Sequence, residues 1–271
     1  MIQKDKNDLF IDDTRYSRQI SLPGIGRAGQ FLLSQKRVLV IGAGGLGSPL
    51  LFALAGAGIG HITIVDSDTV SESNLNRQFL YRAADIGQQK ARLASERLLE
   101  YHPDLSVDPV CELLSDVNAP GLIQTHDLVI AAVDNRQTRI LINKYCCIFR
   151  KVFVDGGVRA FSGYAAVIEP GRTPCYHCLF GIDEKSRIKD PPGVLGSIAG
   201  TIGSLEATLA VIMLLGLKNP LDGEIMYFHA GNMSFDRLKI ERDPKCPHCS
   251  ALWKQPSGAA GAREKEPESV K

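Results

Sequence analysis

Two Cys-x-x-Cys pairs, Cys175 with Cys178 and Cys246 with Cys249, offer four thiolates, and 67 residues (179 to 245) separate the pairs. Two thiolates on one tight turn can share an ion, so two such turns make a tetrahedral four-cysteine zinc site. Pro174 and Pro247 beside the pairs favour turns. Four sulfurs complete the shell and leave no open position, so the zinc is expected to be structural. His177 and His248 lie inside the pairs as spare ligands. A redox role is disfavoured, because neither pair opens a helix after a strand.

The second chemical feature is Gly42-Ala-Gly-Gly-Leu-Gly47, a Gly-x-Gly-x-x-Gly spacing between an apolar run and a helical pattern. Gly42, Gly44, Gly45 and Gly47 let a phosphate approach the backbone, and the following helix N-terminus supplies free N–H groups. Asp66 comes about twenty residues later at a strand end, placed to accept from ribose hydroxyls. These residues alone suit NAD as well as ATP. Arg77, in Asn74-Leu-Asn-Arg-Gln78, and Lys90, in Gly87-Gln-Gln-Lys90, shift the balance toward ATP. A dinucleotide carries about two phosphate charges and ATP about four, so a triphosphate calls for cations and Mg2+. Asp134-Asn135 ends a further strand, where a carboxylate can hold Mg2+.

The elements that must position these groups follow from pattern. Arg37–Ile41 and His61–Val65 read as buried parallel strands around a helix at Gly45–Ala57, and Gly56-Ala-Gly-Ile-Gly60 closes that helix. Gln88–Tyr101 and Arg136–Phe149 read as helices, with strands at Ser106–Leu113, Asp127–Val133 and Val152–Asp155. Tyr164–Glu169, Glu224–Phe228 and Ser234–Ile240 read as strands of an antiparallel extension. The expectation is an α/β fold: a Rossmann-like, doubly wound, mostly parallel sheet with an antiparallel C-terminal extension and a zinc site. One domain is expected over 14–253, with a crossover loop at about 181–192, a flexible stretch at 1–13 and a disordered tail at 254–271.

Composition narrows the function. Lys plus Arg number 31 against 30 Asp plus Glu, a net charge of +1, which gives no general attraction to nucleic acid or membrane surfaces. No secretory pattern opens the chain, and seven cysteines suit a reducing compartment, so a cytoplasmic protein is expected. The apolar run Val194–Leu217 has the length of a membrane span, but Glu206 and several hydroxyl residues within it favour a buried helix.

Arg15-Tyr-Ser-Arg-Gln19, the Gly42 turn, Asp66-Ser-Asp68, Asn74-Leu-Asn-Arg-Gln78, Gly87-Gln-Gln-Lys90, Asp134-Asn135 and Pro174-Cys-Tyr-His-Cys178, taken in order, resemble the MoeB/ThiF/HesA adenylyltransferases, relatives of ubiquitin-activating enzymes. The resemblance implies adenylylation of the C-terminal carboxylate of a small ubiquitin-like sulfur-carrier protein ending in Gly-Gly, of the molybdopterin or thiamine pathway type. It implies a homodimer in which Arg18 reaches the partner's phosphates, with Asp66 and Asp68 at the nucleotide's ribose end. Asn74, Arg77, Gln78 and Lys90 then serve the triphosphate, and Asp134 with Asn135 the Mg2+ end. Relatives that carry the acyl group on sulfur use a crossover-loop cysteine. Here Lys189 stands at the matching place, and no cysteine lies between Cys178 and Cys246. No enzyme thioester is therefore expected, and a separate sulfur donor would displace AMP. Cys111, Cys146 and Cys147 read as buried hydrophobes. The alternatives are activation of another carboxylate or of a modified tRNA base, an NAD-dependent oxidoreductase, and a nucleotide-binding regulator without chemistry.

Overall fold

Strand formation starts with β-branched runs too apolar to face water. In the computed structural model, which describes residues 12–181 and 193–254, Arg37–Ile41 forms β1 with four of its five residues buried. Two short helices precede it, α1 (Ser17–Ile20) and α2 (Gly26–Ser34). After β1 come α3 (Gly47–Ala57), β2 (His61–Val65), α4 (Lys90–Tyr101), β3 (Ser106–Val110), α5 (Ala119–Gln124), β4 (Leu128–Ala131) and α6 (Arg136–Phe149). The C-terminal half holds β5 (Val152–Arg159), β6 (Ser162–Ile168), α7 (Tyr176–Phe180), α8 (Gly196–Leu214), β7 (Glu224–His229) and β8 (Ser234–Lys239).

All eight strands join one sheet in the order β3-β2-β1-β4-β5-β6-β7-β8. Pairing is parallel from β3 to β5 and antiparallel from β5 to β8. The chain leaves β1 toward β2 and returns on its other side as β4, so a crevice opens between the C-terminal ends of β1 and β4, where open α/β sheets bind ligands. The expected doubly wound sheet with its antiparallel extension is what forms.

Each face of the sheet has its own core. One buries Leu50, Leu54 and Ile202 from α3 and α8, and the other Ile142 and Phe153 beside the four paired cysteines. α8 is apolar and long enough to cross a membrane, but half of its apolar window is buried within this fold against α3 and β5. Its small residues allow the close approach that the sequence suggests. A Cβ on Gly203 would lie 2.3 Å from the Leu46 carbonyl oxygen, so α8 presses directly on the start of α3. The Gly56–Gly60 stretch is the helix end expected, with Gly58 left-handed at φ 81°.

Some boundaries differ from the sequence reading. α3 begins at Gly47, because the turn itself takes Gly44 to Leu46, and β3 stops at Val110. β5 runs on to Arg159, drawn out by its pairing with β6. α5 is an addition to the expected elements; it is short, with Pro in its first turn, where the missing N–H costs nothing. The expected terminal segments and crossover loop, including Lys189, fall almost wholly outside the described residues.

Candidate functional site

The Gly42 turn separates glycines the fold needs from glycines it does not. Gly42 is buried at φ +99°, and a Cβ there would lie 2.4 Å from the Ala132 carbonyl oxygen. A Cβ on Gly47 would meet the Gly42 oxygen at 2.3 Å. Gly44 and Gly45 are half-exposed with ordinary backbone angles, and their nearest neighbours would stand 3.5 and 3.4 Å from an added Cβ. Nothing among the described residues demands glycine at these two positions. Their bare backbone is available to a ligand that comes close.

Around the turn, hydrogen bonds fix the acidic side. The Ala43 N–H donates to Asp66 Oδ2 (2.7 Å) and the Asp68 N–H to Asp66 Oδ1 (2.9 Å). Burial pushes the Asp66 carboxyl up, while these two donors and Lys90 pull it down. Lys90, nearly buried, places Nζ 2.9 Å from Asp68 Oδ2, and its own backbone N–H donates to the Asp68 carbonyl. The Tyr81 hydroxyl donates to the carbonyls of Ala43 (2.7 Å) and Lys90 (3.3 Å), joining turn to helix. Burial pushes that phenol far up, so it remains a donor.

Arg77 lies along Gly45, its Cγ 3.4 Å from where a Cβ would sit, and donates to the Ser73 carbonyl at 2.8 Å. Gln78 is buried beside Gly44, and its Oε1 has no partner among the described residues. Asp134 and Asn135 are exposed at the end of β4, and the Asn135 side chain accepts from the Thr138 N–H at 2.9 Å, capping α6. Gly44, Gly45, Asp66, Asp68, Arg77, Gln78, Lys90, Asp134 and Asn135 all line one cavity of about 1280 Å3 at the sheet crevice. Two expected residues are not brought there. The Asn74 side chain accepts from the Ser71 N–H within its own 3-10 turn (Glu72–Asn74), and Arg18 is exposed on α1, whose Gln19 side chain donates to the Ala57 carbonyl at the far end of α3.

The cavity has a second half on the antiparallel extension, where the sequence leads one to expect substrate contacts without marking the residues that make them. It runs past Asp134 along β5 and β6, where Gly157, Gly163 and Tyr164 face it, to Tyr227 on β7. At the junction stands Arg139 of α6, whose Nε donates to Asp155 Oδ1 at 2.8 Å. In sequence Arg139 looks like one more surface cation and Asp155 like a strand end. Only the register of β4 with β5, Ala131 opposite Asp155, brings them under the crevice.

One turn further along α6, beside Asn143, the four paired cysteines converge. Their sulfurs all lie within 4.8 Å of one another, with Cys175–Cys246 and Cys178–Cys249 at 3.6 Å and Cys175–Cys178 at 3.9 Å. A tetrahedron with Zn–S bonds of about 2.3 Å has edges of about 3.8 Å, so the cluster is already sized for such an ion. Asn143 of α6 supports it, accepting from the Tyr176 N–H at 2.9 Å and donating toward Cys175 Sγ at 3.8 Å. His177 and His248 pack against each other with ring centroids 5.5 Å apart and are not part of the sulfur cluster. Cys146 and Cys147 are buried as expected, whereas Cys111 is only half-buried beyond the end of β3.

The sequence profile of the ThiF family matches residues 16–248. A sulfur carrier protein adenylyltransferase of Thermus thermophilus is 38% identical over 250 residues, spanning 87% of this chain and 90% of that one. The molybdopterin-synthase adenylyltransferase of Escherichia coli is 38% identical over 240 residues, 87% of this chain and 95% of its own. Among solved structures, E. coli MccB with succinimide superposes with a TM-score of 0.78 at 22% identity, covering 89% of this chain and 74% of that one, a likeness of fold.

Proposed function

The chain belongs to the ThiF family of adenylyltransferases allied to ubiquitin-activating enzymes, and on that premise we propose that it uses ATP to adenylylate the C-terminal glycine carboxylate of a small ubiquitin-like sulfur-carrier protein. The observation that carries the substrate assignment is the two-part cavity. Pockets for one small ligand run to about 300–1,000 Å3, and this cavity is larger, with a phosphate-type turn at one end and a groove floored by β5 to β7 at the other. The name of the Thermus thermophilus relative, a sulfur carrier protein adenylyltransferase, supports a carrier protein as the second occupant.

In this reading the ribose hydroxyls donate to Asp66, which lines the cavity, and the phosphates lie over Gly44 and Gly45. Lys90 and Arg77 neutralise phosphate charge, Lys90 exchanging Asp68 for the nucleotide, with Gln78 offering its amide and Asn74 holding the Arg77 turn. Asp134 and Asn135 are exposed oxygen donors suited to Mg2+, which when bound supplies further charge neutralisation between the phosphates. The carrier's carboxylate is ionised at neutral pH and needs no general base. One of its oxygens attacks the α-phosphorus, the bond from that phosphorus to the α–β bridging oxygen breaks, and pyrophosphate leaves with the electron pair. Positioning and charge neutralisation are what the site must supply.

The acyl-adenylate is the end product on this chain. No cysteine stands between Cys178 and Cys246 to form a thioester, so an external sulfur donor displaces AMP. Arg18, far from its own cavity, is assigned to the phosphates of a second copy in a homodimer. Zn2+ belongs on Cys175, Cys178, Cys246 and Cys249, and a cytoplasmic setting keeps those thiols reduced. The test is ATP–pyrophosphate exchange with a panel of small proteins ending in Gly-Gly. Exchange should depend on the carrier and vanish in Lys90→Ala and Asp134→Ala; normal exchange by either variant defeats the assignment.

A further inference from the structure

Beyond Ala131 and Asp155 the parallel strands β4 and β5 part company. β4 continues through Val133 to Asp134 at the nucleotide half of the cavity, and β5 continues through Gly156 to Gly157 at the other half. A single side chain spans this fork. Arg139 Nε donates to Asp155 Oδ1 (2.8 Å), and its Nη2 donates to the carbonyl of Gly156 (2.6 Å) and to that of Val133. Asp155 has no exposure at all, and its second oxygen accepts from the Tyr164 hydroxyl at 2.8 Å. Tyr164 lies on Gly157, where an added Cβ would come within 2.3 Å of its ring.

Stability alone does not account for this arrangement. Removing a charged pair from water costs several kcal/mol per ion, and apolar residues of similar volume commonly serve a core as well or better. What an apolar pair cannot do is bind two diverging carbonyls at once. We propose that Asp155 is a positioning residue for the adenylation reaction: with Tyr164 it locks Arg139 across the fork, fixing Asp134 relative to Gly157 and so aligning carboxylate with α-phosphate. The proposal rests on the adenylation reading above. Asp155 does not line the cavity, so it acts through Arg139. Each half of the cavity keeps its own ligand contacts when the lock is broken, and the alignment between them is lost.

The experiment measures carrier-dependent ATP–pyrophosphate exchange for Asp155→Asn, Tyr164→Phe and the double variant Arg139→Met/Asp155→Leu, with melting temperatures alongside. A misplacement of about 1 Å costs about 100-fold in rate, so kcat should fall by about that factor in Asp155→Asn and in the double variant, and about tenfold in Tyr164→Phe. KM for ATP and for carrier should stay within about threefold, because neither half's contacts are removed. The double variant leaves the Val133 and Gly156 carbonyls and the Tyr164 hydroxyl without these partners, so it should melt below the parent and still unfold cooperatively. Parental kcat in a folded variant overturns the proposal. So does a KM rise that accounts for the whole loss, or failure of the double variant to fold, which would make the pair a structural one. Absence of exchange by the parent with every carrier refutes the adenylation reading itself, a separate outcome.

Discussion

Replacing Glu206 with glutamine should stabilise the protein by an amount that grows with pH. Glu206 sits in the middle of α8 with no exposure, and neither carboxyl oxygen has a hydrogen-bond partner among the described residues. It packs against β5 so closely that a Cβ on Gly156 would lie 2.4 Å from its Cδ. Burial pushes its carboxyl well above the usual range, Asp155 adds to this, and Arg139 opposes it. Below the unfolded value of about 4.5 both states hold the proton and stability does not vary through this group. Above it the unfolded chain releases the proton and the native state keeps it, so native stability declines until pH passes the raised folded value. One proton retained by the native state corresponds to about 1.4 kcal/mol per pH unit. For as long as the native state keeps this proton, each pH unit above about 5.5 should therefore cost the parent about 1.4 kcal/mol that Glu206→Gln does not lose. At about 2–4 °C per kcal/mol the gap in melting temperature widens by about 3–6 °C per pH unit. The glutamine amide adds a constant offset, so the slope is the quantity to read, from thermal unfolding at three or more pH values. Parallel pH profiles for parent and variant would show that Glu206 is ionised in the native state, and would refute the reasoning.

The glycine turn gives a paired prediction. Gly44→Ala and Gly45→Ala should leave the melting temperature nearly unchanged while weakening ATP binding at least about tenfold, and Gly47→Ala, whose Cβ would strike the Gly42 carbonyl, should cost more than about 2 kcal/mol of stability. Nucleotide titration and thermal unfolding of the three variants check both halves. Elemental analysis should find one zinc per chain, lost in Cys246→Ser with a clear fall in melting temperature; metal-free protein of parental stability would contradict the sulfur geometry. Tyr81→Phe should lose about 1 kcal/mol and raise KM for ATP, since it frees the Ala43 carbonyl beneath the turn, and equal KM values would show that the bond does not steady the site.

The parts of this molecule that are legible in the sequence are those whose physics is local. The β-branched runs of β1 and β2, the glycine spacing between them and the two Cys-x-x-Cys turns each declare themselves within a few residues. Residues that depend on register do not declare themselves. Arg139, Asp155 and Tyr164 come from three elements, and nothing in their spacing of 16 and 9 residues marks them as partners. α5 is hidden for a different reason: Pro120 and Gly121 read as breakers, yet both fall in its first turn, where proline does no harm. Asn74 and Asn135 show the limit of motif reading from the other side, since one lone pair of each side-chain oxygen goes to a backbone N–H, shaping the turn or capping the helix, whatever the other holds. Such residues build the site's frame even where they hold no ligand.

The sulfur cluster also alters the connectivity of the chain. Cys175 and Cys246 stand 71 positions apart, so an ion seated on the four sulfurs converts that stretch, including α8 and β7, into a closed ring of backbone. Closing a ring of this size removes freedom from the unfolded chain worth about 4 kcal/mol by the arithmetic used for disulfides. A ring also survives a single cut. One scission between α8 and β7 would yield two polypeptides held as one body by four metal–sulfur bonds, separable only when the ion is stripped away.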